Sequence, residues 1–301
     1  MTSPQPAAVI ELRPRRGPAR AAFASLRPRQ WPKNLLLFAG IVFAAKLGDA
    51  GRWAEAAAIF VAYCGASSAA YLVNDLRDAT DDRLHPVKRD RPIARGELQP
   101  ERALVLAALL AAGALAVAAA LGFASLLFLL GFVALQLAYS LGLKRIALVD
   151  VSVIAGLFVI RAAAGAAAVA VRISPWLLAC TALLALFLGL AKRRGELMLV
   201  SAEETPGRPV LDVYSLRLID RLLNVGAAAT AGAYAAYAVT AHSAWMALTV
   251  PLVVGGLGRY LVLVHRHDLG EEPEHVLLTD RVILACVAAW AVLSAVVLAV
   301  T

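Results

Sequence analysis

The stretch that decides the reading is Asn74-Asp75-Leu76-Arg77-Asp78-Ala79-Thr80-Asp81-Asp82, which follows without a break on the apolar run Ala54–Val73. An apolar run of this length matches the roughly 20 residues that a helix needs to cross a bilayer. If the helix continues past Val73, Asn74, Asp78 and Asp82 recur at i, i+4 and i+8 and share one face, with Asp75 beside it. Oxygen ligands on one face suit a hard cation. Mg²⁺ binds through one or two carboxylates, keeps several waters and shares the phosphates of a substrate. A loop needing only solubility has no reason to space its acids helically. Nor would such a loop lead into the basic cluster His85-Pro86-Val87-Lys88-Arg89-Asp90-Arg91-Pro92. Its two prolines break the helix, and Lys88 and Arg91 are placed to meet anionic oxygens. Acids and bases at one surface imply a metal with a doubly anionic ligand. A diphosphate fits best, because metal and cations neutralise charge as it builds on the leaving group.

The rest of the chain places this segment at a membrane. Of 301 residues, 61% are hydrophobic and the mean hydropathy is +0.73, which exceeds soluble composition. Nine segments read as spans: Asn34–Ala45, Ala54–Val73, Ala103–Leu121, Ala124–Leu143, Ala147–Val171, Pro175–Ala191, Leu218–Thr240, Trp245–Val264 and Val282–Thr301. With the N-terminus in the cytoplasm, all 29 Lys and Arg fall on the inner side except Lys46, Arg52, Arg172 and the mid-helix Arg161. The net charge of +8 therefore follows the membrane rule, and a nucleic-acid partner is excluded. Residues 1–30 are basic and Pro-rich with no apolar region ending in a cleavage site, and read as a cytoplasmic tail. Residues 31–301 read as one transmembrane helical domain. Cys64, Cys180 and Cys286 lie far apart in apolar stretches and make no metal or disulfide pattern. The expected fold is all-α, a polytopic membrane protein with nine transmembrane helices. Its site faces the cytoplasm from the inner membrane.

The pattern of Asn74, Asp75, Asp78 and Asp82 after an apolar span resembles the first aspartate-rich motif of the UbiA superfamily of intramembrane prenyltransferases. Arg27-Pro28-Arg29-Gln30-Trp31-Pro32-Lys33-Asn34 is similar to the start of that family's first helix. Tyr139-Ser140-Leu141-Gly142-Leu143-Lys144-Arg145 is similar to the end of its fourth. Leu190–Leu197, Gly270–Glu274 and Asp280-Arg281 narrow the likeness to the decaprenyl-phosphate phosphoribosyltransferase branch. One departure matters. The family's second motif, DxxxD, is matched here by Asp150-Val151-Ser152-Val153-Ile154, so only its first acid is present. The resemblance implies a UbiA-like bundle, Mg²⁺ as cofactor, 5-phosphoribosyl 1-diphosphate as donor and a polyprenyl phosphate as acceptor. It further implies a product that serves as an arabinose precursor for cell-wall polymers.

On that reading Asn74, Asp78 and Asp82 hold the metal, while Asp75, Asp78 and Asp82 form the catalytic set, Asp75 as ligand or as a partner orienting one. Lys33, at the inner end of the first span, is in reach of the donor's phosphates, though a snorkelling lysine explains it equally. Tyr71, one turn before Asp75, is a donor contact or an interfacial aromatic. Lys144 is carried over from the fourth-helix motif. Lys192 is a phosphate ligand, with Glu196 fixing its position or binding ribose hydroxyls. Arg161 lies about 14 residues into its span, roughly 20 Å along the helix, and an intramembrane charge is functional by default. Its expected partners are the acceptor phosphate or Asp150. Two rival functions stand beside this one: prenyl transfer from a lipid diphosphate to an aromatic acceptor, and non-enzymatic transport of a lipid phosphate. A homo-oligomer is left open.

Overall fold

Pro32 has no N–H to donate, and its ring crowds the carbonyl four residues back. The stretch Pro28–Phe38 accordingly winds as a 3₁₀ helix, between α1 (Pro18–Ser25) and α2 (Ala39–Phe43). The expected first span, Asn34–Ala45, is therefore not a single α-helix. The structure is a computed structural model that describes residues 14–43, 48–84, 88–203, 213–240, 244–267, 270 and 273–300. Lys46, His85, Pro86, Glu271 and Glu272 lie outside the described residues, as do the first part of the basic tail and most of the loop expected at 201–217.

Ten further helices follow: α3 (Ala50–Arg77), α4 (Ala79–Leu84), α5 (Pro100–Leu121), α6 (Phe123–Leu141), α7 (Val149–Ala168), α8 (Pro175–Glu203), α9 (Leu216–Thr240), α10 (Val250–His267), α11 (Pro273–Thr279) and α12 (Arg281–Val300). No strand occurs among the described residues. A chain in lipid must satisfy its backbone polar groups within each segment, and helices do so. Seven of the helical stretches are long and apolar enough to cross a membrane, and Arg281–Val297 is a shorter apolar one. Leu104, Leu109, Leu127, Leu130, Val292 and Val296 are exposed on the outer faces of α5, α6 and α12, as lipid contact requires.

Helix α7 stands between two packed halves. Tyr63, Phe132 and Leu157 fill the half built from α3, α5, α6 and α7. Phe187, Leu223 and Tyr260 fill the half built from α8, α9 and α10. The small residues of α7 let the first segment press directly on its backbone, since packing rather than hydrophobicity joins helices in lipid. A Cβ at Gly165 would stand 2.0 Å from the Leu37 carbonyl oxygen, and one at Gly40 would stand 2.7 Å from Ala166 Cα. The 3₁₀ helix is thereby fixed against α7 at the level of Leu37. The end of the basic stretch is structured too. From Pro18 it is helix α1, and the chain beyond it is held to α3 by Ser68 Oγ donating to the Leu26 carbonyl (2.8 Å).

Gly165→Ala places its methyl group inside the Leu37 carbonyl. Overpacking of this kind costs about 1–3 kcal/mol. Thermal unfolding in detergent is expected to shift down by several degrees, while Gly113→Ala, inside α5 where a Cβ meets nothing within 4 Å, does not lower it.

Candidate active site

Helix α3 carries Asn74 and Asp75 in its last turn and ends at Asp78, whose φ of −91° and ψ of 6° bend the chain into α4 and Asp82. The turn keeps helical bonding across the bend: Asp78 N–H donates to the Asn74 carbonyl (2.9 Å) and Asp82 N–H to the Asp78 carbonyl (2.8 Å). The acids therefore gather at one end of the bundle, as their spacing predicts, but they divide into two kinds. Asn74 and Asp78 are half-buried and joined to each other, Nδ2 to Oδ2, at 3.0 Å. Asp75 and Asp82 are buried, and arginines hold them. Arg91 Nη1 reaches Asp75 Oδ1 at 3.1 Å and Asp82 Oδ2 at 2.7 Å, while Arg27 Nη2 reaches Asp75 Oδ1 at 2.5 Å. Burying a carboxylate without such partners would be costly.

Arg27 escaped sequence reasoning because its reach depends on an unusual backbone, with φ 53° and ψ 60°. Left-handed geometry is strained for a non-glycine residue and marks functional sites. It lays the guanidinium over the Tyr71 ring, 4.7 Å from the centroid. Tyr71 thus meets the acidic cluster through Arg27. The one available signal was the position of Arg27 at the head of the stretch resembling the family's first helix.

A second cluster forms where α6 ends and α7 begins, against the turn Arg193–Glu196 of α8. Arg193, 1% exposed, lies 2.6 Å from Asp150 Oδ2 as an ion pair off the hydrogen-bonding axis, donates to Glu196, and reaches the Tyr139 hydroxyl at 3.3 Å. Asp150 Oδ1 accepts from the Tyr214 hydroxyl at 2.9 Å, and that hydroxyl accepts from Leu148 N–H at 2.7 Å. Leu148 itself has a φ of 66°, so Tyr214 braces a strained turn from the far side. Burial, with the bond to Asp150 adding to it and the Leu148 N–H opposing, pushes the Tyr214 hydroxyl up to about 12. The brace is complete below pH 10 and is lost as pH rises toward 12. Sequence reasoning paired Glu196 with Lys192. The structure places the neighbouring Arg193 on Glu196. Lys144 lies just ahead of this cluster in the 3₁₀ turn Leu143–Arg145, Lys88 in the turn Lys88–Asp90, and Lys33 in the 3₁₀ helix. Each is half-buried, as is Lys192 on α8.

Arg161 is where the structure corrects the sequence. Its Nε donates to Asn34 Oδ1 (2.8 Å), its Nη1 to the Leu157 carbonyl (3.2 Å), and its guanidinium lies 4.6 Å from the Phe132 ring centroid. Asp150 is not its partner, being taken by Arg193. Deep in the bundle an amide, a carbonyl and an aromatic face supply what a free carboxylate was expected to supply. Beside this core an apolar cavity of about 590 Å³ opens between the 3₁₀ helix, α8, α9, α10 and α12. That volume is in the range of small-molecule sites. At Gly270 a Cβ would stand 2.4 Å from the Ala191 carbonyl oxygen, so only glycine lets the segment after α10 seat against α8 there.

Among the described residues no three His, Cys, Asp or Glu side chains converge as a ready metal cage. The donor chemistry nonetheless fits Mg²⁺. Asn74 and Asp78 offer oxygens at the half-exposed edge of the acidic end, and a substrate phosphate completes such a shell. The sequence pattern of the UbiA prenyltransferase family matches residues 35–279. The chain belongs to that family. Its relatives include the decaprenyl-phosphate phosphoribosyltransferase of Mycolicibacterium smegmatis, 35% identical over 93% of this chain and 94% of that protein. The protein of the same name from Corynebacterium glutamicum is 32% identical over 96% and 91%. Among solved structures, a UbiA homolog from Archaeoglobus fulgidus bound to DMAPP and Mg²⁺ shares the fold, with a TM-score of 0.72 and 19% identity over 93% of this chain and all of that one. In this UbiA member, then, the first acidic motif sits at the end of α3 and the single acid of the second stretch is tied to Arg193.

Arg193→Leu leaves the buried Asp150 and the half-buried Glu196 without their cation. Breaking a buried pair in this way costs about 3–5 kcal/mol. Tyr214→Phe keeps the ring but strips a hydrogen bond from Leu148 and from Asp150, at about 1–3 kcal/mol. Thermal unfolding in detergent is expected to rank the proteins wild type, Tyr214→Phe, Arg193→Leu in falling order. Equal midpoints would contradict the network.

Proposed function

We propose that the chain is a Mg²⁺-dependent pentosyltransferase that moves the 5-phosphoribosyl group of 5-phosphoribosyl 1-diphosphate onto a polyprenyl phosphate, decaprenyl phosphate first of all. The observation that carries the reading is the state of Asp150: fully buried, bonded to Tyr214 and paired with Arg193. A lipid diphosphate clamped between two acidic platforms needs the second platform free, and here it is internally neutralised. One acidic platform opposite cations suits a water-soluble sugar diphosphate. The names and near-full-length likeness of the relatives in Mycolicibacterium and Corynebacterium support the same activity.

Asn74, Asp78 and Asp82 are the residues to hold Mg²⁺, which when bound neutralises charge on the departing diphosphate. Arg27 and Arg91, already gathered around Asp75 and Asp82, orient the diphosphate and stabilise the charge that grows on it. A phosphate oxygen of the acceptor attacks C1 of the ribose. The bond from C1 to the diphosphate oxygen breaks, its electron pair leaves with diphosphate, and a new C1–O bond joins sugar to lipid phosphate. The acceptor oxygen is already anionic, so no strong base is required, and positioning supplies much of the acceleration. The apolar cavity beside α8 takes the polyprenyl chain, with the remainder in the bilayer. The product feeds cell-wall arabinan synthesis.

The same reading places the protein in the cell membrane, with nine crossings, the N-terminus and the acidic end in the cytoplasm, a basic segment at 1–30 and the transferase domain at 31–301. Support comes from the inner-side gathering of the basic residues.

Purified protein incubated with Mg²⁺, labelled 5-phosphoribosyl 1-diphosphate and decaprenyl phosphate is expected to yield a labelled lipid. EDTA abolishes it, and Asp78→Ala lowers the rate by at least the roughly 10–100-fold that loss of a metal ligand's supporting partner costs. Label left wholly in the aqueous phase, together with prenyl transfer from a lipid diphosphate to an aromatic acceptor, would overturn the assignment.

A further inference from the structure

Arg16 belongs to the basic stretch ahead of α1, yet its bonds reach the loop that carries Arg91. Its backbone N–H donates to Glu97 Oε1 at 3.3 Å, and its Nη1 donates to Glu97 Oε2 at 3.1 Å. The same Nη1 donates to the Asp90 carbonyl at 3.1 Å. Asp90 directly precedes Arg91. Glu97 comes back to the other side of it, because the Glu97 N–H donates to the Pro92 carbonyl at 2.8 Å. Arg16 thus holds both chain neighbours of Arg91, one directly and one through Glu97. The Glu97 side chain is 1% exposed, and Arg95 Nε meets its Oε1 at 3.1 Å. A carboxylate buried this deeply needs its cations in place, which sets the contact apart from an ordinary surface pair.

Apolar packing joins the same two segments. Pro18 opens α1, and Ala22 and Leu26 pack on a core that includes Leu72, Ile93 and Leu98. Ile93 and Leu98 belong to the loop that Arg16 grips, so charge and packing hold it from the same stretch. The loop is stiffened by its own bonds: Arg91 N–H donates to the Lys88 carbonyl at 2.9 Å, and Arg95 N–H to the Arg91 carbonyl at 3.0 Å. A shift at Asp90 or Glu97 therefore moves Arg91, whose Nη1 spans Asp75 and Asp82. Displacements of this kind, away from the chemistry itself, weaken a site that depends on placed charges.

We infer that Arg16 is a positioning residue: it straps the loop 88–98 so that Arg91 meets the donor's diphosphate. The inference rests on the proposed role of Arg91 at that diphosphate. The basic stretch ahead of α1 is then part of the frame of the donor site, as well as an attraction to anionic headgroups.

The test uses the full-length protein in detergent with Mg²⁺, varying 5-phosphoribosyl 1-diphosphate and decaprenyl phosphate in turn. Arg16→Gln is expected to raise KM for the donor about tenfold, the worth of one charged hydrogen bond, and to keep KM for decaprenyl phosphate within about twofold. Arg16→Lys keeps the charge and recovers most of the affinity. Arg91→Lys separates a strap from general support of the fold. In that background Arg16→Gln adds less than about twofold to the donor KM, because the group it positions is already gone. Effects of the two substitutions that multiply overturn the inference. So does an Arg16→Gln protein that unfolds at a lower temperature with both KM values unchanged. Donor binding is read separately, as the rise in unfolding temperature that donor and Mg²⁺ cause without any lipid. If the wild type shows this rise, Arg16→Gln needs about tenfold more donor for it, and neither yields labelled lipid, the strap stands and the transfer reaction falls. Labelled lipid formed by both proteins at the same donor KM keeps the reaction and sinks the strap.

Discussion

Arg193 lies between Asp150 and Glu196 with almost none of its side chain exposed, and the polar end of the bundle is organised around that meeting. A guanidinium removed from water needs its counter-charges in place before anything else can settle. Asp150 is at the start of α7, Glu196 and Arg193 are on α8, Tyr139 is on α6 and Tyr214 precedes α9. Satisfying one buried cation therefore ties the end of α6, the start of α7, the lead-in to α9 and one turn of α8 to a common point. Lys144, in the turn after α6, and Lys192, beside Arg193 on α8, are placed by that same charge balance.

The acidic end of α3 obeys the same rule with the signs exchanged. Asp75 is the buried member, and Arg27 and Arg91 come to it from a strained turn and from a loop. The contrast with Asp78 is chemical. Asp78 has a neutral amide as its partner and half-exposed surroundings, which suits a carboxylate that must accept a cation. Asp75 has two cations already, which suits one that holds arginines ready. The two acids are three residues apart, and their roles are separated by what faces them.

The sequence was legible where a rule acts over one or two turns. Helical spacing places Asn74, Asp78 and Asp82 at one end, and the apolar runs give α3, α5, α6, α7, α9 and α10 to within about five residues, whereas α8 runs on through the charged turn after Ala191 to Glu203. It was less legible wherever the partner came from afar. Arg161 was recognised as a buried cation needing a partner, but Asn34, 127 residues away, is not an acid and so was not sought. Tyr214 lies 64 residues from Asp150. Lys192 and Arg193 are neighbours, and which of them meets Asp150 depends on how α8 is turned against α7. Pro28 and Pro32 were visible throughout as a likeness to the family's first helix, yet their effect, a 3₁₀ winding, emerges only with the backbone.

That winding has a consequence for reach. A 3₁₀ helix rises ~2.0 Å per residue against ~1.5 Å for an α-helix. The 11 residues Pro28–Phe38 thus cover roughly 22 Å where α-helical winding would cover about 16 Å. A stretch too brief to serve as an ordinary transmembrane rod becomes a long, thin stay between the headgroup region and the hydrocarbon. It also becomes three-sided, each side a straight file of residues. Inserting a single residue would swing one part of the stay by a third of a turn relative to the other. Evolution can therefore vary the chemistry of each file by point changes but cannot easily change its length.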